Sequence, residues 1–506
     1  MSFARTYSRA LLGMQAPEVV VEVHLSNGLP SFNIVGLPET SVKESKDRVR
    51  SALVNSQFIF PDTRITVNLA PADLPKDGGR FDLSIAVGIL LASGQLKNAD
   101  IDKYEFYGEL ALSGEVRTVS AILPSIMAAT SLNRCCFIPQ KDDELASLIE
   151  SSARKAVTSL QEVWLDLNGQ QSLPLNQSYN KKNVFEIKKQ DSEFDLCDVK
   201  GQQQGKRALE IAAAGSHNLL FLGPPGTGKS MLAQRMTGIM PEMANSEALE
   251  TAAVYSITGQ QVNFQNWKRR PFRNPHHTCS AVALVGGSST PKPGEISLSH
   301  NGVLFLDELP EFDRKVLDSL REPMETGKVM ISRAARQSEF PARFQLIAAL
   351  NPSPTGCHTD KRASPDQILK YLSKISGPFI DRVDLQVELP KLSSLELQSQ
   401  EKSETSQQVK YRVDKARKLQ LLRQNKANAH LTNKEISKYC ILNEESLNYL
   451  AKVSEKLGLS PRSYHRIIKV SRTIADLNAC QLIDIAHLKE ALSYRCFERL
   501  LAHLAK

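Results

Sequence analysis

The octapeptide from Gly223 to Ser230, GPPGTGKS, constrains this chain more than any other feature of its sequence. It fits the phosphate-binding pattern G-x-x-x-x-G-K-[ST], follows an apolar run at 218–222 and precedes a helical pattern at 231–236. In a strand–loop–helix unit, glycines let backbone N–H groups turn toward phosphates, and the helix N-terminus adds partial positive charge. The sequence therefore predicts a nucleoside triphosphate site in an α/β domain.

Every residue of this P-loop is a predicted nucleotide-binding residue: Gly223, Pro224, Pro225, Gly226, Thr227, Gly228, Lys229 and Ser230. Lys229 is expected to reach the β- and γ-phosphates, and the Ser230 hydroxyl is expected to ligate Mg²⁺. The predicted cofactors are ATP and Mg²⁺. The loop alone does not tell what hydrolysis would drive.

A second apolar run, at 302–306, ends in two acids, Asp307 and Glu308. A buried parallel strand would place both carboxylates at its C-terminal end, beside the P-loop. We expect Asp307 to hold Mg²⁺, through water, and Glu308 to polarise the attacking water as general base. A third apolar run, at 344–350, ends at Asn351, whose amide can orient that water.

Two arginines follow these motifs along the chain. Arg382 lies in FIDRVD at 379–384, and Arg462 lies in SPRSYHR at 460–466, at the start of a predicted helix. An arginine such as Arg382 can reach the γ-phosphate of a neighbouring subunit and stabilise charge in the transition state. Arg462 is predicted to sense the nucleotide from a helical lid, in its own chain or in a neighbour.

This order resembles the AAA+ ATPases: Walker A, Walker B, sensor 1, arginine finger and sensor 2. The long Gly- and Pro-rich stretch between the Walker motifs is similar to the helix-2 insert of the magnesium-chelatase and MCM helicase branch. Two extended runs, 328–333 and 340–346, flank a polar turn at 334–339 and predict a hairpin. In that branch such hairpins point into the pore of a hexamer, which makes Arg333 and Arg336 candidate DNA contacts. A solvated hairpin without a partner fits the pattern equally well.

The N-terminal region resembles the Lon protease domain, a ribosomal-S5-domain-2-like fold. The resemblance is carried by PKDG at 75–78 and GELALSGEV at 108–116. Lon proteases use a Ser-Lys dyad, but Arg80 stands at the serine position and Ser125 at the lysine position. Peptide hydrolysis needs a nucleophile and a group that activates it. The resemblance therefore implies a Lon-like domain without protease activity.

Over nearly its whole length the chain resembles the YifB/ComM family of magnesium-chelatase-like ATPases. Besides the Walker motifs, the resemblance is carried by FNIVGLPE at 32–39, VNLAPADLP at 67–75, RNPHHT at 273–278, PGEIS at 293–297 and SGPFIDRVDL at 376–385. Many relatives have a cysteine-rich NPCPCG after sensor 1. Here residues 351–356 read NPSPTG, without those cysteines, although Cys357 and His358 follow. The missing cysteines argue against a metal site.

The family implies a homo-oligomeric, hexameric ATPase that translocates on single-stranded or branched DNA. It further implies a branch-migration helicase that promotes integration of incoming DNA during natural transformation and homologous recombination. Two basic segments, 267–273 and 410–426, would suit phosphate contacts, although a solvated face is the commoner meaning of a basic helix. A chelatase-type chaperone that inserts metal into a tetrapyrrole fits the ATPase motifs as well, whereas Arg80 and Ser125 disfavour an ATP-dependent protease.

The predicted fold class is α/β, and a length of 506 residues suggests about three domains. They are a Lon-like α+β domain at 1–167, an AAA+ core with a parallel sheet at 196–390 and a C-terminal helical lid at 391–506, with a linker at 168–195. The eight cysteines form no C-x-x-C pair and indicate reduced thiols, and a net charge of +8 permits a polyanionic partner without requiring one. No run approaches 18 apolar residues, so we expect a cytoplasmic protein with no membrane partner.

Overall fold

The computed structural model describes residues 3–97, 100–176, 194–260, 267–287, 291–333, 336–356, 363–398, 403–497 and 500. The chain divides into two compact units. The N-terminal unit consists of Met1–Ile187 with Leu249–Trp267, and the C-terminal unit consists of Lys188–Ala248 with Lys268–Lys506. Within the described residues, we find no helix whose length and apolar character would let it cross a membrane.

The N-terminal unit is an α+β structure with two sheets and a short hairpin. Its strands are β1 (Phe3–Arg9), β2 (Glu18–Ser26), β3 (Ser31–Val35), β4 (Arg64–Ala70), β5 (Tyr104–Phe106), β6 (Glu109–Leu110), β7 (Val116–Arg117), β8 (Cys135–Pro139) and β9 (Arg154–Val157). Its helices before residue 168 are α1 (Thr40–Lys43), α2 (Ser45–Asn55), α3 (Asp82–Ala92), α4 (Ile122–Ser131), α5 (Asp143–Ala146) and α6 (Leu160–Leu167). One sheet has the order β1-β2-β4-β3, the other is the parallel trio β5-β8-β9, and β6 pairs with β7.

The burial of this unit's strands and helices follows the pattern of their apolar residues. In β2 the alternate residues Val19, Val21 and Val23 are buried, as a strand with one face on the core requires. Helix α3 reads DLSIAVGILLA and is buried on nearly every side, because it packs against β1, β2 and α2. A helix that is apolar all round has no face to give to water and is stable only inside a core.

The C-terminal unit contains a parallel sheet followed by helices. Its strands are β10 (Leu219–Leu222), β11 (Phe272–Arg273), β12 (Val303–Leu306), β13 (Lys328–Arg333), β14 (Arg336–Pro341), β15 (Gln345–Leu350) and β16 (Leu385–Glu388). The helices up to β16 are α7 (Gln203–Gly215), α8 (Lys229–Gln234), α9 (Met236–Ile239), α10 (Asn245–Ile257), α11 (Ala281–Val285), α12 (Glu295–Leu298), α13 (Arg314–Ser319), α14 (Arg321–Thr326), α15 (Pro365–Leu372) and α16 (Gly377–Ile380). The helices after β16 are α17 (Ser394–Gln398), α18 (Ser406–Gln424), α19 (Asn433–Tyr439), α20 (Glu444–Leu457), α21 (Pro461–Leu477) and α22 (Ile485–Ser493).

The central sheet of this unit has the order β11-β12-β15-β10-β16, and all of its strand pairs are parallel. Every residue of β10, β12 and β15 is buried, which explains why these strands read as unbroken apolar runs. Parallel strands deliver the residues that follow them to one edge of the sheet. The P-loop, the Asp307-Glu308 pair and Asn351 therefore all leave the sheet at its C-terminal edge.

Helix α10 crosses from one unit to the other. Its first residues belong to the C-terminal unit, but from Leu249 onward the helix belongs to the N-terminal unit, although the sequence places it inside the nucleotide-binding region. The reason is apolar packing, since Ala252 and Ala253 lie in one buried cluster with Tyr107 and Ile122. The backbone also connects there, because Ala121 N donates a hydrogen bond to Ser256 O at 3.2 Å.

The hairpin before sensor 1 exists, but its second strand is not where the sequence predicts it. The register runs from Lys328 opposite Pro341 to Arg333 opposite Arg336, so only residues 334–335, outside the described residues, separate the strands. The predicted second run at 340–346 instead contains the end of β14 and the start of the core strand β15. The polar sequence of β14 hides its alternation, in which Ser338 and Phe340 are buried while their neighbours face solvent.

Candidate nucleotide-binding site

The P-loop connects β10 to α8 and is held against the neighbouring strand. Gly223 N donates a hydrogen bond to Leu350 O at 3.2 Å, and Thr227 Oγ1 donates one to Pro224 O at 3.0 Å. Gly226 and Gly228 have φ values of +78° and +90°, in the left-handed region that favours glycine. A Cβ atom at either glycine would meet no atom within 4 Å. The loop thus forms an open cradle bounded by backbone, which fits a phosphate group.

Lys229 lies at the centre of the site and joins the P-loop to sensor 1. Its Nζ donates hydrogen bonds to Gly223 O at 2.7 Å, Pro224 O at 2.9 Å and Asn351 Oδ1 at 3.0 Å. Burial lowers the pKa of Lys229, and the nearby carboxylates Asp307 and Glu308 oppose that shift. The structure therefore brings the predicted phosphate-binding lysine and the predicted sensor 1 amide into direct contact.

Ser230 and Asp307, the predicted Mg²⁺ ligands, also meet. Ser230 Oγ donates a hydrogen bond to Asp307 Oδ2 at 2.6 Å, and Asp307 Oδ1 accepts one from Glu308 N at 3.0 Å. A hydroxyl and a carboxylate oxygen are hard ligands of the kind that Mg²⁺ prefers. The donor set thus fits Mg²⁺ bound to ATP, and the ion would polarise the phosphate that water attacks.

Glu308 has a backbone conformation that is unusual for its residue type. Its φ is +52°, a left-handed conformation that costs a residue with a Cβ on the order of 1 kcal/mol and that concentrates at functional sites. Its half-exposed carboxylate has Oε2 3.6 Å from Nδ1 of His277. The sequence motifs assign no role to His277. The strand register could have revealed this contact. Strands β11 and β12 are parallel neighbours with Arg273 opposite Leu304. His277 lies four residues after Arg273, and Glu308 lies four residues after Leu304.

Arg382 and Arg462 lie together, at the opposite edge of the sheet from the P-loop. Arg382 O accepts a hydrogen bond from Asn218 Nδ2 at 3.0 Å, and Asn218 immediately precedes β10. The five residue steps from Asn218 to Gly223 span roughly 16 Å at the usual rise of a strand. Arg382 Nη2 lies 2.6 Å from Glu325 Oε1, and Arg462 Nη2 lies 4.0 Å from the same oxygen.

The two arginines differ in their environment. The side chain of Arg382 is 8% exposed, and burial lowers its pKa, opposed by Glu325. The side chain of Arg462, on the first turn of α21, is 62% exposed. Within the described residues both guanidinium groups thus gather around one carboxylate of their own chain, away from the P-loop of that chain.

The hairpin places Arg333 and Arg336 opposite each other in its last backbone pair, as their position near the tip predicts. Their side chains lie outside what the structure describes. Cys357 and His358, after sensor 1, are likewise outside the described residues.

Several cations of the two basic segments bind partners within their own chain. In the first, Arg270 donates to Pro241 O and Asn301 O, and Arg273 forms a two-pronged ion pair with Glu295. Cations of the second segment bind partners of their own chain: Lys410 with Glu242, Arg412 with Glu210 and Glu404, Arg417 with Ala213 O and Ala214 O, Arg423 with Asp476, and Lys426 with Glu435. Phosphate contacts by the two segments stay a prediction, and they would compete with this pairing within the chain.

The Lon-like positions of the N-terminal unit also come together. Arg80 Nη1 lies 3.4 Å from Ser125 Oγ and donates to Arg9 O at 3.1 Å, while Nη2 donates to Ser120 O. Arg80 is 3% exposed and Ser125 is fully buried. Burial lowers the pKa of Arg80 to about 10, which leaves the guanidinium charged at neutral pH. The residue that the Lon resemblance aligns with the catalytic serine is thus an arginine that ties two backbone carbonyls together.

Replacing Arg80 with Ala should destabilise the N-terminal unit by about 2–5 kcal/mol, because the Arg9 and Ser120 carbonyls lose their donor and the buried side chain leaves a cavity. The Ser125→Ala change, which removes one long contact, should cost less than about 1 kcal/mol. Urea denaturation of the full chain, followed by the fluorescence of Trp164 and Trp267, which both belong to the N-terminal unit, measures both variants. Equal midpoints for the two variants would contradict the structural role of Arg80.

The sheet order, the P-loop and the acid pair together define a P-loop ATPase fold of the AAA+ class. Family models match three segments of the chain: "Subunit ChlI of Mg-chelatase" at residues 21–142, "Magnesium chelatase, subunit ChlI" at 195–397 and "Magnesium chelatase, subunit ChlI C-terminal" at 403–495.

Similarity to individual proteins shows which family within the AAA+ class the chain belongs to. The chain is 56% identical to the competence protein ComM of Haemophilus influenzae over 508 positions that cover 100% of both chains. It is 48% identical to the protein YifB of Escherichia coli, over 100% of this chain and 99% of that one. Lon protease 2 of Bacillus subtilis is 25% identical over 179 positions, 31% of this chain and 32% of the protease. The chain belongs to the ComM/YifB family of magnesium-chelatase-like AAA+ proteins.

Proposed function

We propose that the protein is an ATP-driven hexameric motor that acts on DNA, as a branch-migration helicase that promotes integration of incoming DNA in transformation and homologous recombination. The observation that carries this proposal is the full-length similarity to a competence protein, combined with a nucleotide site in which Lys229 contacts Asn351 and Ser230 contacts Asp307. Competence concerns the uptake of DNA, so DNA is the natural polymer for the motor.

ATP hydrolysis in this proposal uses the residues of one sheet edge. The P-loop and Lys229 bind the phosphates, and Ser230 and Asp307 hold Mg²⁺. Asn351, which contacts Lys229, orients the attacking water, and Glu308 accepts its proton. Hydrolysis also needs a positive charge on the far side of the γ-phosphate, because the transition state spreads negative charge over the phosphoryl oxygens.

The position of Arg382 and Arg462 favours a ring. Both lie at the edge of the sheet opposite their own P-loop, next to Asn218 and α21. In a head-to-tail ring that edge can meet the P-loop edge of the next subunit, and such interfaces close into rings when the rotation allows. We propose that Arg382 acts as arginine finger and Arg462 as sensor 2 toward the neighbouring subunit.

The hairpin β13–β14 is the proposed contact to DNA. Replacing both Arg333 and Arg336 with Ala should weaken DNA binding and reduce the dependence of affinity on salt, because fewer counterions are released. ATPase rates without DNA should stay unchanged, while stimulation by branched DNA should fall several-fold. The measurement is ATP turnover and filter binding with single-stranded, duplex and four-way DNA at two salt concentrations.

The matched control is the pair Lys328→Ala and Glu339→Ala, which removes an ion pair of the same hairpin, 2.8 Å long, without touching the tip. Its DNA stimulation should equal that of the wild type. A tip variant with normal DNA stimulation would contradict the role of the hairpin, and a wild-type protein that neither binds DNA at low salt nor hydrolyses ATP faster with it would overturn the DNA function itself.

A chelatase-type chaperone is the alternative, favoured by the names of the matching family models. It predicts metal-dependent copurification with a large tetrapyrrole-binding partner and no response to DNA. A Lon-like protease is less favoured because Arg80 and Ser125 are buried. Degradation of an unfolded protein that is lost on mutating a nearby serine would revive that function.

A further inference from the structure

Asn218, the residue before the P-loop strand β10, binds the segment that carries Arg382 through both its backbone and its side chain. Asn218 N donates a hydrogen bond to Asp384 Oδ2 at 3.1 Å, and Asp384 N donates one to Asn218 O at 3.1 Å. The Asn218 amide donates to Arg382 O at 3.0 Å and accepts from Leu346 N at 2.9 Å. The backbone of Arg382 is therefore fixed to the N-terminal ends of two core strands, β10 and β15.

The carboxylate of Asp384 also reaches the helix that carries Arg462. Asp384 Oδ1 accepts a hydrogen bond from Arg466 Nη1 at 2.8 Å, and Arg466 lies one turn after Arg462 on α21. The side chain of Asp384 is 9% exposed and that of Arg466 is 20% exposed. Burial by itself would raise the pKa of Asp384, but Arg466 and His217 hold that pKa below its usual range, so the carboxylate is charged at neutral pH. Asp384 thus joins the segment of the predicted arginine finger to the helix of the predicted sensor 2.

A second polar contact between the same elements lies beside this ion pair. His217 Nδ1 is 3.4 Å from Asp384 Oδ2, and His217 Nε2 shares a hydrogen bond of 2.7 Å with Thr473 Oγ1 on α21. A Cβ atom at Gly215 would lie only 2.6 Å from that hydroxyl, so the glycine is what permits this close approach of α21. Arg466 and Thr473 are seven residues, about two helical turns, apart. The two contacts therefore fix the direction of α21 as well as its distance from the sheet.

We propose that Asp384 is a positioning residue for ATP hydrolysis in the neighbouring subunit. Because it binds Asn218 and Arg466 at once, it holds the backbones of Arg382 and Arg462 in one rigid arrangement, and both guanidinium groups reach the neighbouring γ-phosphate together. Charge that is placed before the reaction stabilises the transition state at no cost of rearrangement. Action toward a neighbour rests on the proposed function, whereas the connection between the two arginines through Asp384 does not.

The test is steady-state ATP hydrolysis by full-length Asp384→Asn. Asparagine can still accept the hydrogen bond from Asn218 N, but it lacks the charge that holds Arg466. The kcat should fall by about 10- to 10²-fold, the loss expected when reacting groups are misplaced by roughly 1 Å. The KM for ATP should stay nearly unchanged, because the arginines act on the transition state and the P-loop is intact. The matched control Glu435→Gln removes the 2.7 Å ion pair with Lys426 and keeps a residue that can complete the capping box of α19, so it should match the wild type.

Mixtures of defective chains distinguish this role from damage to the variant's own nucleotide site. Asp384→Asn chains keep an intact Glu308, so activity should return when they exchange subunits with Glu308→Gln chains, whose Arg382 is correctly held. Activity should not return with Arg382→Ala chains, because neither chain then offers a working finger. A purely structural defect at the start of β10 would give no recovery in either mixture and would overturn the proposal. A wild-type kcat in Asp384→Asn would overturn it as well.

Arg466→Gln removes the same ion pair from the side of α21, where solvent already reaches the side chain, and it decides the question if Asp384→Asn does not fold. It should show the same loss of kcat and the same behaviour in the mixtures. The double variant should be no worse than the more affected single variant, since residues that act through one contact are not additive, and additive losses would overturn the pairing. If Arg382→Ala and Glu308→Gln chains do not restore each other, the sharing of sites between subunits fails instead, and the additivity test alone decides on Asp384.

Discussion

Glu308→Gln should lower the kcat for ATP hydrolysis by about 10²- to 10⁴-fold, the usual worth of a general base, while ATP binding persists. Glutamine keeps the shape of the side chain but cannot take the proton of the attacking water. The groups that bind the nucleotide are untouched, since Lys229 keeps its contact with Asn351 and Ser230 keeps its contact with Asp307. Single-turnover hydrolysis and retention of labelled ATP on a gel-filtration column measure the two effects separately.

A neighbouring carboxylate supplies the control for this experiment. Glu311 lies three residues further on, in the same short turn, and its Oε2 is 3.9 Å from Lys374 Nζ. Glu311→Gln should hydrolyse ATP at the wild-type rate. Lys229→Ala should lose binding as well as turnover, because it removes the charge that holds the phosphates. If Glu308→Gln turned over at half the wild-type rate or more, another group would have to be the base.

The nucleotide site could be predicted from the sequence because its residues follow buried parallel strands. Each apolar run identifies a strand, and the residue after the run must leave the sheet at the C-terminal edge. Lys229 and Asn351 are 122 residues apart in sequence, and Ser230 and Asp307 are 77 residues apart, yet each pair forms a hydrogen bond. The pattern thus gives their convergence without any knowledge of the loops between them.

Features that depend on pairing across the chain could not be predicted in this way. The contact of His277 with Glu308 requires the register of β11 on β12, and β11 has only two residues. The predicted position of the hairpin's second strand was wrong. Strand β14 has one polar face and a buried Ser338, so it shows almost no apolar alternation. The sequence also did not predict that Leu249–Trp267 belongs to the N-terminal unit. That assignment results from packing between distant segments, which local patterns do not encode.

The environment of Arg382 has a consequence for how the ring would work. Arg382 is bound to Glu325, and the guanidinium groups of Arg321, Arg462 and Arg466 lie close enough to lower its pKa further. Arg466 also pairs with Asp384, and Arg321 pairs with Asp318. Four guanidinium groups therefore face three carboxylates, and the one positive charge left over favours a second anion. The γ-phosphate of a neighbouring subunit has the charge to draw Arg382 away from Glu325.

Arg382→Ala should therefore lower kcat by about 10³- to 10⁵-fold, the range found for arginine fingers, and the loss should be repaired by a different inactive subunit. In a ring mixed from Arg382→Ala and Glu308→Gln chains, some interfaces join an intact Glu308 from the first chain to an intact Arg382 from the second. Random mixing makes about a quarter of head-to-tail interfaces productive in this way. ATP hydrolysis should thus reappear when two inactive preparations are mixed and allowed to exchange subunits.

The outcome separates action toward a neighbour from action within one chain. If Arg382 served the P-loop of its own chain, each subunit in the mixture would remain defective and no activity would return. Recovery also shows that the Arg382→Ala chain is folded, since a misfolded chain could not supply a working Glu308. Mixing Arg382→Ala with a double variant that carries both Arg382→Ala and Glu308→Gln is the negative control, because no subunit then offers the arginine. Activity in that mixture would rule out Arg382 as the residue that completes the site. No activity there, together with recovery in the first mixture, would require every working site to be shared by two subunits.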